Sequence, residues 1–176
     1  MSIRPFKGIH PTIPGTAWVD DGAYIYGDVV LGENVSIWPG AVMRGDVNHI
    51  RIGNDSNVQD LCCLHVSHKR ESDPLGAPLI IGERVTIGHQ VTLHGCTIGD
   101  ECLLGIGTIV LDRAIIEPRV MVGAGSLVPP GKVLKSGWLY LGRPVKEVRP
   151  LTEEELAHFA YSAQHYVRLA QAYRES

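Results

Sequence analysis

His65, His89 and His94 are of the residue type and spacing that could ligate a single metal ion. Neutral imidazole is a common ligand for zinc and related metals, and three protein nitrogens leave one coordination position open. The chain has eight histidines. One histidine alone is an ordinary surface or hydrogen-bonding residue, and His10, His49, His158 and His165 are read in that way. What separates the other three is where a repeat in the chain would put them.

That repeat has a period of six. A branched or long apolar residue recurs at Ile25, Leu31, Ile37 and Met43, then at Ile52, Val58 and Leu64. It resumes at Ile81, Ile87 and Leu93, shortens by one to Ile98, and runs on through Leu104, Val110, Ile116, Val122, Val128, Leu134 and Tyr140. Gly often follows directly, as in Ile87-Gly88. Four residues after the apolar position stands a small or branched one, such as Val35, Ala41, Val47, Val85 and Val91. No six-residue unit can bury its apolar side chain alone, so the pattern predicts a solenoid of short parallel strands, with three units to each triangular coil. The expected fold is therefore mainly β, a parallel β-helix over residues 1–150. Three extra residues lie between Met43 and Ile52, and eleven between Leu64 and Ile81. The second insertion, residues 67–78, is polar with Pro and Gly, and reads as an excursion loop. Over 151–176, Thr152 and Glu155 form a capping box ahead of Leu156, Phe159, Ala163, Tyr166, Val167, Ala170 and Tyr173 at helical spacing. One amphipathic helix over about 153–174 is expected to lie on the prism, its own or a neighbour's.

Counting hexads onto this frame places Met43, Leu64 and Leu93 at one corner of successive coils. The residues after them, Arg44, His65 and His94, then stack one coil apart, about 4.8 Å, within reach of one metal. His89 falls in another column, over Asp60 and next to Gln59. Each chain thus holds two half-sites at different edges. Three-fold assembly would bring one edge against the other edge of the next chain and close a ring. A polar interface cluster without metal fits the same positions.

Composition narrows the field. Twenty Gly and only two Phe suit a chain that turns often and stacks small branched side chains. A net charge of −3 without a basic patch argues against nucleic acid. No signal pattern and no long apolar run is visible, so a cytoplasmic protein that avoids membranes is expected. Cys62, Cys63, Cys96 and Cys102 lack metal or redox spacing and read as reduced, mostly buried thiols.

The segments Arg44-Gly45-Asp46, Gln59-Asp60, His65 and Gly88-His89-Gln90-Val91-Thr92-Leu93-His94-Gly95-Cys96 resemble the γ-class carbonic anhydrases and their bacterial homologues. The likeness runs over nearly the whole chain. It implies a left-handed β-helix and a homotrimer with zinc, iron or cobalt at each interface. It assigns His65 and His94 to one chain and His89 to its neighbour, the split the counting reached. Hydration of carbon dioxide to bicarbonate by a metal-activated hydroxide is the implied reaction. By the same resemblance, Arg44 and Asp60 pair across the interface, Asp46 and Gln59 orient the reacting water, and Tyr166 reaches the site from the terminal helix. These polar residues read equally as an interface network, and Tyr166 as a packed helix residue. The sequence departs from the archetypal pattern where protons move: Val47 stands where that enzyme has a glutamate, and the loop reads His68-Lys69-Arg70-Glu71-Ser72-Asp73. His68 is the candidate relay, and slow hydration is expected. Two other readings stay open: a hexapeptide-class acyltransferase or metal-assisted thioesterase, and a non-catalytic trimer stapled by metal.

Overall fold

A computed structural model describes residues 2–176. The hexads form a parallel β-solenoid of about eight turns, followed by one helix. The first face of the prism carries the strands Cys63–His65, Thr92–His94, Ile109–Val110 and Leu127–Val128. The second carries Leu79–Ile81, Thr97–Ile98, Ile115–Ile116 and Val133–Leu134. The third runs from Trp18–Val19 through Ser36–Ile37, Asn57–Val58 and Thr86–Ile87 to Trp138–Gly142. Two longer strands, Tyr24–Leu31 and Val42–Ile52, turn a corner and join the first two faces into one sheet.

The core is the predicted column. Ile25 pairs in register with Met43, Met43 with Leu64, Leu64 with Leu93, and Leu93 with Val110. All five side chains are buried. Small and branched residues complete the interior, as Val35, Ala41, Val85 and Val91 do. Corners turn on left-handed backbone, which non-glycine residues adopt rarely. Leu61 (φ 60°) and Gln90 (φ 59°) do so directly after Asp60 and His89. Cys62, Cys96 and Cys102 are buried free thiols, and Cys63 is an exposed one. Burial pushes the Cys62 and Cys102 thiols up to about 12, so these three pack as small hydrophobes.

Val47 corrects the pattern. The period puts it in the same slot as Ala41, which is buried, yet it is 43% exposed. Gly27 pairs with Gly45, but Val29 pairs with Ile50, so the three extra residues bulge out of the ladder here. The inward register resumes at Ile50 and Ile52.

The helix spans Glu153–Glu175 and has both bonds of the capping box: Glu155 N–H to Thr152 Oγ1, and Thr152 N–H to Glu155 Oε2. It packs on the third face of its own prism, against Trp18–Val19, Ser36–Ile37, Asn57–Val58 and Thr86–Ile87. Its own Phe159, Ser162, Ala163 and Ala170 are buried. Tyr173 stays exposed, although its ring meets those of Trp18 and Trp38. Among the described residues, no helix is long and apolar enough to cross a membrane.

Candidate functional site

His65 and His94 end neighbouring strands of the first face and are directly paired in register. His65 Nδ1 and His94 Nε2 face each other at 3.2 Å. The other nitrogen of each ring meets a carboxylate: His65 Nε2 is 2.9 Å from Asp46 Oδ1, and His94 Nδ1 is 2.6 Å from Asp112 Oδ1. A carboxylate accepts, so the ring N–H belongs on the nitrogen that faces it. Neutral imidazole then has its lone pair on the remaining nitrogen. Two acceptor nitrogens then face each other over 3.2 Å, an arrangement that a shared proton or a metal ion between them relieves. Two nitrogens each ~2.0–2.1 Å from one tetrahedral ion stand about 3.3 Å apart. The donor set fits a metal.

Asp46 owes its place to the bulge. Gly45, just before it, lies so close to the preceding turn that a Cβ would come within 2.4 Å of the Asp28 carbonyl oxygen. Burial would raise the Asp46 carboxyl, but the hydrogen bond with His65 and the Arg44 charge outweigh it and hold it below its usual value. Arg44 is ion-paired to Asp46 of its own chain. Asn48, two residues on, donates Nδ2–H to the carbonyls of Ser67 (3.1 Å) and Leu75 (2.8 Å) and so holds the excursion loop.

The second half-site lies at the corner between the third and first faces. His89 stacks over Asp60, with Nδ1 2.7 Å from Asp60 Oδ2. Its Nε2 thus carries the lone pair. This pair is the most open of the three, at 44% and 40% side-chain exposure, against 22% and 15% for His65 and Asp46. Tyr166 belongs to this edge: burial and the Asp60 carboxylate both raise its hydroxyl, and its ring meets Trp38 edge-on. Gln59 is buried and donates its amide to Asn57 (3.1 Å), which reaches Thr86, which meets Ser162 of the helix. It therefore anchors a polar chain under the helix.

Among the described residues of one chain, no group of three His, Cys, Asp or Glu side chains is placed to hold a metal. The fold unites His65 with His94 and leaves His89 at the opposite edge of the first face. Arg44 and Asp60 do not meet within the chain; each has its own partner there. His68 is exposed on the loop. Asp112 escaped sequence reading altogether. It opens no motif, and its only signal is its position in the turn one coil beyond His94-Gly95.

Residues 10–45 match the family model for bacterial transferase hexapeptide repeats (six repeats). A solved hexapeptide transferase family protein from Anaplasma phagocytophilum superposes with a TM-score of 0.90 at 42% identity, over 98% of each chain. These likenesses and the solenoid define a hexapeptide-repeat protein. Escherichia coli protein YrdA is 52% identical over 97% of this chain and 93% of its own length. A carbonic anhydrase from Geobacillus kaustophilus is 45% identical over 98% of this chain and 91% of its own. The chain belongs to the γ-class carbonic anhydrase-like family.

Proposed function

We propose that this protein is a metal-dependent carbonic anhydrase-like lyase. In this reading His65 and His94 of one chain, with His89 of a neighbour in a homotrimer, hold zinc, iron or cobalt, and carbon dioxide and bicarbonate are the substrate pair. The observation that carries it is the facing pair of lone-pair nitrogens, 3.2 Å apart, each ring locked by a carboxylate behind it. The converse fact also supports it. One chain supplies two ligands here, and its third histidine presents a free nitrogen at an exposed edge.

When bound, the metal supplies hydroxide at neutral pH, the nucleophile that hydration needs. The rest falls to the chain. Asp46 fixes the ring orientation and tautomer of His65 and raises its basicity as a ligand. Asp60 does the same for His89. The hydrogen bond with His65 and, after it, the Arg44 charge hold Asp46 ionised, and Tyr166 gives the His89 edge an apolar wall with a hydroxyl. Gln59 is more simply a prop for the helix. Fast turnover also needs a group to carry the proton away. Val47, exposed and apolar, cannot, so His68 or buffer must.

Stopped-flow hydration with zinc- and iron-loaded protein tests the reading. A rate above buffer that rises with imidazole concentration is expected; full metal occupancy with no such rate would sink it. The acyl-transfer alternative has the solved relative's family description behind it. Retention on immobilised CoA would revive that alternative.

A further inference from the structure

The sites already assigned leave one carboxylate without a role. Asp112 lies in the turn between Ile109–Val110 and Ile115–Ile116, at the corner where His94 ends its strand. Both its oxygens are used. Oδ1 takes the His94 Nδ1–H at 2.6 Å, and Oδ2 takes the Ser67 hydroxyl at 2.9 Å. Ser67 is the first residue of the excursion loop, where its backbone pairs with Ala77 at the loop's other end. The neighbouring Arg113 is ion-paired to Asp73 within the same loop. Gly95 keeps the space open: a Cβ there would come within 2.4 Å of Asp112 Oδ1 and 2.7 Å of Ala77 Cβ.

One carboxylate thus joins a histidine ring to a loop root through two hydrogen bonds on its two oxygens. Moving the loop root pulls on Oδ2, and Asp112 can follow only by turning Oδ1 against His94. We propose that Asp112 is a positioning residue for His94 and that, through Ser67, it couples the excursion loop to the metal centre. This rests on reading His94 as a ligand. Loop conformation then sets metal affinity, and metal occupancy in turn orders the loop, because a coupling between two equilibria is reciprocal.

Zinc affinity, measured against a chromophoric chelator on the intact protein, reads the first half. D112A should weaken zinc by about 10–100-fold, the range for lost partners of ligating histidines. D112N keeps the side-chain shape and one acceptor; it should lose less affinity and shift the visible bands of the cobalt-loaded form. Unchanged affinity and unchanged bands in D112N would overturn the proposal, even if D112A fails to fold. Proteolysis within 67–78 reads the second half. Zinc should slow cleavage in the native protein, and S67A should lose most of that protection. Equal protection in S67A would overturn the coupling. A native protein that binds no zinc overturns both this proposal and the ligand reading; native binding with unaltered Asp112 variants overturns this proposal alone.

Discussion

His65 and His94 each commit one ring nitrogen to a carboxylate and leave the other facing its partner. That division is what the proposed ligand pair requires and what two surface histidines that merely stack would lack. H65A and H94A should each lose bound metal, by elemental analysis of dialysed protein, while keeping native far-UV circular dichroism. Retained metal in either would remove these residues from the centre. The stacking was legible in the sequence, since it needs only a period of six and three units per coil. The carboxylates behind the rings were less so. Asp46 stood in a recognisable tripeptide, but Asp112 reaches His94 through the shape of a turn that the period does not encode. Val47 was misread because a bulge cancels the period over three residues. The same misreading sharpens a kinetic expectation: with an apolar side chain at 47, hydration should be limited by proton removal. H68A should then lower the maximal rate in weak buffer and leave kcat/KM unchanged. Equal rates at low buffer would remove His68 from the relay.

At the scale of the element, the corners and the helix set the tolerances. Gly95 has φ +51°, and a Cβ on it would strike Asp112 and Ala77. G95A should cost about 1–3 kcal/mol in chemical denaturation, from strain and overpacking together. An unchanged midpoint would show that the turn relaxes. Leu93, fully buried in the column, should cost about 2–5 kcal/mol as L93A by the same measurement. The helix makes a pH-dependent contribution. Glu155 is lowered from 4.5 to about 2, first by its hydrogen bond with Arg149 and then by the Thr152 N–H. A lowered carboxyl stabilises the fold in full above 4.5 and loses that contribution as pH falls toward about 2. E155Q should therefore unfold at lower urea than the native protein near neutral pH, with the gap closing in acid. A gap independent of pH would contradict this. The capping box and helix span were readable from Thr152 and Glu155. Which chain the helix covers was not, because an apolar stripe does not name its partner.

On the scale of the whole molecule, the solenoid puts its two half-sites on opposite edges of one face and cannot fold them together. Parallel strands hold that face stiff. In the proposed centre His89 would therefore complete the His65–His94 pair from another chain, and a closed ring would satisfy every edge. The parallel solenoid was legible in the period of six, the bulge at Val47 apart; a ring of chains is the proposal that the two incomplete half-sites support. The most direct measurement is complementation. H89A and H94A chains, each unable to bind metal alone, are unfolded, mixed in equal amounts and refolded together. With ligands from two chains at each centre of a three-membered ring, about a quarter of the centres regain all three histidines by chance. Metal content near a quarter of the native value is the predicted result, and mixed preparations no better than the separate variants would contradict it.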